Sequence, residues 1–223
     1  MAGITTPSGP ARVHLYLASA GAGVEPGPAP GLLVLGHGAG GSLDAPDLVA
    51  ARSAALRLGW AVVGVEQPYR VAGRRAPPAA KTLDGAWIAA VRAVVASTGN
   101  PLLTEVPPTL VLGGRSSGAR VACRTALELG ADAVLCLAFP WHPPGRADRT
   151  RSGEVAEVVA AGLPVLTVQG SRDPFGQPPG SVRSAPTVSA VSLEGADHSL
   201  KKSAGEVEAE VGRWLGRLAA GAA

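Results

Sequence analysis

The chain has 223 residues, 46% of them hydrophobic and 17% charged, which suits one mid-sized domain with a large core and excludes a disordered chain. Its 20 basic and 17 acidic residues leave a formal charge of +3, and the basic ones, mostly arginine, are spread without a block, which argues against a nucleic-acid surface. No apolar run reaches the ~18–20 residues of a membrane span, and no basic region precedes an apolar stretch near Met1, so the expectation is a soluble cytoplasmic globule with no nucleic-acid or membrane partner.

Taken in order, a short apolar run at 13–17 leads into a Gly-, Ala- and Pro-rich loop over 20–30, then a second run at 32–35. A helix is predicted over 47–58, a strand over 61–65, a Pro- and Arg-rich excursion over 70–78 and a helix over 83–96. In that helix Leu83, Trp87, Ile88, Val91, Val94 and Val95 recur at three- and four-residue steps. Strands then fall at 109–112, 133–137, 164–168 and 188–193, with helices at 119–129, 154–161 and 203–218 and a second excursion over 140–151. Most strands are continuously apolar rather than alternating, as in sheets covered on both faces. The predicted fold is therefore α/β, a mostly parallel central sheet with helices on both faces. One domain over 1–223 is expected, with an edge strand and loop up to residue 30 and a core over 31–220. Right-handed crossovers put the ligand crevice at the carboxyl ends of the strands. No long insertion follows the strand at 133–137, so little or no lid is expected over the crevice, and the site should be open to small or extended esters.

Gly114-Arg115-Ser116-Ser117-Gly118 forms a G-x-S-x-G pattern between a strand and a helix, the context of a nucleophile elbow. In so glycine-rich a chain the string alone arises by chance roughly 0.25 times, so its placement carries the weight. The turn would project the Ser116 hydroxyl out of the sheet, with the Ser117 N–H at a helix N-terminus facing the same reacting centre. A serine hydroxyl needs a base near neutral pH, and the base needs an acid to orient it. Asp173 follows the strand at 164–168, and His198 follows the strand at 188–193, in the chain order such a triad takes. Asp197 and Glu66 are rival acids, the first an immediate neighbour of the base and the second at an earlier strand end.

The glycine-rich turn Gly36-His37-Gly38-Ala39-Gly40-Gly41 also follows a strand, and offers the Ala39 N–H, with Gly40 as the near alternative, as a second oxyanion donor beside Ser117. His37 is expected to shape this loop and wall the pocket rather than to transfer protons. Phe139, Trp141 and His142, in the excursion that would roof the crevice, are candidate pocket-lining residues, with Arg146, Arg149 or Arg151 within reach of an anionic substrate. No metal is expected, because His14, His37 and His142 lack ligand spacing with Cys or carboxylates. Cys123 and Cys136 suffice for neither a disulfide framework nor a zinc cage and read as small buried hydrophobes. Phosphate-cradling loops are absent, so no cofactor is expected.

The glycine turn at 36–41, the segment Gly113-Gly-Arg-Ser-Ser-Gly-Ala-Arg120, Phe139-Pro-Trp-His-Pro-Pro144, Gln169-Gly-Ser-Arg-Asp-Pro-Phe-Gly176 and Gly195-Ala-Asp-His-Ser-Leu200 together resemble α/β-hydrolase superfamily blocks, in the superfamily's order. More narrowly they resemble the compact dienelactone-hydrolase-like family that includes a testis-expressed protein and a regulatory subunit of a histone acetyltransferase complex. The resemblance implies a serine nucleophile at Ser116, an acid at Asp173 and a base at His198. Family members often carry Met where this chain has Ser117, a position whose contribution is a backbone N–H. The expected activity is a cofactor-independent serine hydrolase, most simply a carboxylesterase on a small acyl substrate. A catalytically silent scaffold or binding subunit is the alternative the resemblance also allows, and an acyltransferase, passing the acyl group to an acceptor other than water, would use the same residues.

Overall fold

The structure, a computed structural model, describes residues 1–18, 28–96 and 107–221. The chain opens with a hairpin of β1 (Ala2–Thr6) and β2 (Gly9–Tyr16), then runs through β3 (Leu32–Gly36), α1 (Pro46–Arg57), β4 (Ala61–Glu66), the short α2 (Pro68–Val71) and α3 (Ala80–Val95). It continues with β5 (Leu110–Arg115), α4 (Ser117–Thr125), β6 (Ala133–Leu137), α5 (Ser152–Ala160), β7 (Val165–Gly170), the short α6 (Gly180–Arg183), β8 (Val188–Leu193) and α7 (Ala204–Ala219). The eight described strands form one sheet in the order β1-β2-β4-β3-β5-β6-β7-β8. Pairs β1–β2 and β2–β4 are antiparallel, and every other pair is parallel. No helix of the described residues is long and apolar enough to cross a membrane.

Continuous apolar strands require cover on both faces, and successive side chains point to opposite sides. Leu32 and Val34 of β3 join α3, α4 and α5 in one apolar layer through Trp87, Val91, Ala119, Val155 and Val158. Leu33 and Leu35 join α1 and α7 in the other, through Leu48, Ala51, Val207, Val211 and Trp214. The mostly parallel sheet with helices on both faces is thus as the sequence predicts, and among the described residues no helix intervenes between Leu137 and Ser152 to act as a lid.

Several elements differ from expectation. The first strand, β1, has no counterpart among the strands expected from sequence: only Ile4 in it is a large apolar residue, and the strand lies mostly exposed at the sheet edge. The turns α2 and α6 are each too short for a helical period to register. Strand β5 runs on to Arg115, because Gly113 lets Leu135 of β6 come close; a Cβ on Gly113 would lie 2.8 Å from Leu135 Cβ. Helix α4 starts at Ser117 rather than at 119 and ends at Thr125 rather than at 129. The predicted loop over 20–30 lies largely outside the described residues.

Candidate active site

Ser116 stands between the last residue of β5 and the first of α4, with φ 52° and ψ −109°. A non-glycine residue there is strained by about 1–3 kcal/mol, and such strain persists only where surrounding structure enforces it. The enforcement is visible. The Ser116 N–H donates to the Leu137 carbonyl at 2.9 Å, and α4 begins at once with the Arg120 N–H donating to the Ser116 carbonyl. The flanking glycines are needed for closeness: a Cβ on Gly118 would lie 2.3 Å from the Gly36 oxygen, and one on Gly114 would lie 2.6 Å from the same atom.

The turn after β8 carries His198 to this elbow. Its Nε2 lies 3.0 Å from Ser116 Oγ, and its Nδ1 lies 2.8 Å from Asp173 Oδ2. Asp173, in the turn after β7, is buried, and its Oδ1 accepts the Phe175 N–H at 2.8 Å. Of the rival acids, Asp197 is exposed, and its carboxylate, held below the usual range, accepts the Ser199 N–H and hydroxyl, while the imidazole Nδ1 meets Asp173. Glu66 pairs with Arg12 at 3.0 Å and lies 3.8 Å from His14.

The turn after β3 packs onto the elbow, since a Cβ on Gly38 would lie 3.6 Å from Ser116 Cβ. The Gly38 carbonyl takes the Gly41 N–H at 3.1 Å and lies 2.9 Å from His37 Nδ1. In a trans peptide the N–H opposes the carbonyl, so the Ala39 N–H points away from the His37 ring. Ser117 opens α4, so its N–H has no carbonyl within the helix to bond. His37 is buried; its Nε2 accepts the Gln67 N–H at 3.1 Å, which leaves the proton on Nδ1. Burial lowers its pKa, so the ring is a neutral strut of the loop.

Two pocket candidates are corrected. Phe139 and Trp141 are 0% and 2% exposed and pack ring on ring, centroids 4.6 Å apart, in the apolar layer with α5 rather than lining an open crevice. Two large aromatics one residue apart gain more from burial than from overhanging solvent. His142 is half-buried; its Nδ1 lies 2.9 Å from the Pro143 carbonyl and its Nε2 blocks the space above Gly176 of the acid turn.

Other groups complete the site that no sequence motif marks. Gln169, at the end of β7, donates from Nε2 to Asp173 Oδ2 at 2.7 Å and accepts the Trp141 indole N–H at 3.3 Å, so it orients the acid. The signal in the sequence is a glutamine that directly follows the apolar run 164–168. Phe175 stacks on His198, centroids 4.2 Å apart. Arg115, the variable residue of the serine motif, donates from Nη2 to the His198 carbonyl at 2.8 Å. Beside Ser117 lies a cavity of about 10 Å³, lined also by His37, Gln67 and Trp87. Gln67 Oε1 and Trp87 Nε1 are buried with no protein partner among the described residues, and such a space suits one water. No cluster of three or more His, Cys, Asp or Glu among the described residues is placed to hold a metal ion.

Residues 29–214 match the sequence model of the alpha/beta hydrolase domain family, and the chain belongs to that family. Solved structures agree on the fold. A serine hydrolase without a lid from Xanthomonas campestris is 22% identical, with 96% of this chain and 93% of that one covered at a TM-score of 0.66. A serine hydrolase homologue from Coxiella burnetii is 18% identical over 96% and 95%, TM-score 0.69. A dienelactone hydrolase from Anabaena variabilis is 15% identical over 96% and 94%, TM-score 0.65. A comparison with curated protein sequences gives no match.

Proposed function

We propose that this hydrolase cleaves small esters through a serine nucleophile and an acyl-enzyme intermediate. Ser116 Oγ forms a bond to the ester carbonyl carbon as its proton passes to His198 Nε2, and the carbonyl electrons move onto oxygen. The Ala39 and Ser117 N–H groups face that oxyanion, while Gly40, whose backbone interacts with the Tyr69 phenol, is the less suited donor. Collapse expels the alkoxide, which takes the proton from His198; water then attacks the acyl-enzyme by the same steps and frees the acid. Asp173 holds the imidazole tautomer and stabilises the imidazolium.

The observation that carries this reading is the pair of contacts on one ring, 3.0 Å to the Ser116 hydroxyl and 2.8 Å to the Asp173 carboxylate. A lactone, the substrate class in one structural neighbour's name, is a cyclic ester open to the same attack. The test is a fluorophosphonate probe together with p-nitrophenyl acetate. Wild-type protein should take one adduct on Ser116, and Ser116→Ala should lose about 10³-fold or more of its turnover while keeping its circular-dichroism spectrum. Equal turnover by folded Ser116→Ala would remove Ser116 as nucleophile.

A further inference from the structure

The base rides on a turn at the edge of the sheet, after β8, the last strand in the order. That turn is tied to the acid turn on one side: Arg172 donates from its side chain to the Gly195 carbonyl at 2.9 and 2.6 Å, and the Arg172 N–H donates to the Ala196 carbonyl at 2.9 Å. At His198 itself the backbone carbonyl is held by one side chain among the described residues, that of Arg115.

Arg115 reaches three parts of the site at once. Its backbone precedes Ser116, its Nη2 holds the His198 carbonyl at 2.8 Å, and its Nη1 lies against the oxyanion turn, where a Cβ on Gly38 would come within 2.9 Å of it. A planar guanidinium can reach the base turn and the oxyanion turn together because its donors fan out in a fixed fork; a lysine ammonium on a flexible stem has no such geometry. The fork is anchored from behind by Asp47, in the first turn of α1, whose side chain is 0% exposed. Asp47 Oδ1 accepts the Leu48 N–H at 2.9 Å, and Oδ2 lies 2.9 Å from Arg115 Nε, near enough to pair by charge though out of line for a hydrogen bond.

We infer that the Arg115–Asp47 pair is a positioning clamp, which fixes His198 and the oxyanion turn relative to Ser116 without touching the substrate. This rests on the serine-hydrolase reading above. A buried carboxylate facing a motif arginine costs desolvation and is weak support for stability, so its use here is alignment. Misplacing a base by about 1 Å costs on the order of 100-fold in rate.

The experiment uses full-length wild type, Asp47→Asn and Arg115→Met, each followed by p-nitrophenyl acetate kinetics, fluorophosphonate labelling and thermal melting. Asp47→Asn keeps shape and removes charge, so it decides the matter if Arg115→Met fails to fold. Both variants should lower kcat by about 10- to 100-fold with KM within about twofold, and slow labelling to match. The low-field proton resonance of His198 Nδ1–H should shift or broaden in Asp47→Asn, a signature that general loosening of α1 would not give in a variant that melts no lower than wild type. If wild type itself takes no label, the serine-hydrolase reading fails. If wild type is labelled and folded Asp47→Asn matches it in kcat, labelling rate and His198 resonance, the clamp is overturned.

Discussion

Asp47 joins stability and alignment in one side chain, and the two pull in opposite directions. Burial raises its carboxyl from the ordinary 3.8 to about 6, although the neighbouring Arg115 charge works the other way. A carboxyl that holds its proton more tightly in the fold than in the unfolded chain loses stability as pH rises between the two values. The penalty therefore grows from about pH 4 to about pH 6 and is complete above that, amounting to roughly 3 kcal/mol. Asp47→Asn should accordingly melt at or above wild type at pH 8, with the difference shrinking toward pH 4, while its activity falls. Thermal melts of the two proteins across that range check the sign. A variant destabilised at pH 8 and neutral at pH 4 would make the buried charge a net stabiliser. His37, neutral in the fold because burial lowers its pKa, works oppositely: the unfolded chain protonates first as pH falls, so acid costs stability in both proteins alike. Comparing variant with wild type removes that contribution.

At the scale of elements, the elbow depends on how closely α4 can approach β3. A Cβ on Gly118 would meet the Gly36 oxygen at 2.3 Å and its carbon at 2.5 Å, and backbone on both sides cannot give way. Gly118→Ala should therefore lose about 3 kcal/mol in urea unfolding, with labelling of Ser116 lost as the turn deforms. Gly85, inside α3, is the contrasting case, with no atom within 4 Å of a Cβ placed there. Gly85→Ala should gain about 1 kcal/mol, since helix interior glycine carries only an entropic cost there. The same contrast explains what was legible in sequence. The glycines at Gly114 and Gly118 could be read from their spacing, because a strand–turn–helix of this tightness leaves no room for side chains. The end of β5 could not, since Gly113 looks like a strand breaker until Leu135 of the neighbouring strand is seen against it. Hairpin strand β1 escaped for a related reason: an exposed edge needs no apolar pattern, so none was written.

Across the whole molecule, the sequence candidates that the structure brings together are those whose place is set locally: Ser116 by its turn, and Asp173 and His198 by the strand ends that deliver them. Arg115, Asp47 and Gln169 were missed because their meaning lies in partners on other elements, which no local pattern encodes. Phe139 and Trp141 pose the same difficulty, since an aromatic beside prolines reads equally as roof or as core until its burial in the apolar layer is seen. These partners also show that the site straddles both helical layers. Ser116 heads α4 on one face of the sheet, whereas Asp47 stands in α1, which packs with α7 on the other. Damage to the far layer should therefore reach the nucleophile. Trp214, 2% exposed on α7, lies well away from the motif turns in sequence, and Trp214→Ala should lose about 3–5 kcal/mol through the cavity it leaves. If the layers unfold as one, far-UV circular dichroism and fluorophosphonate labelling will fall together in a single transition at the lower temperature. Two separate transitions, or labelling that outlasts the loss of helix signal, would mean that the α4 layer can hold the elbow alone and that the clamp from α1 is dispensable to it.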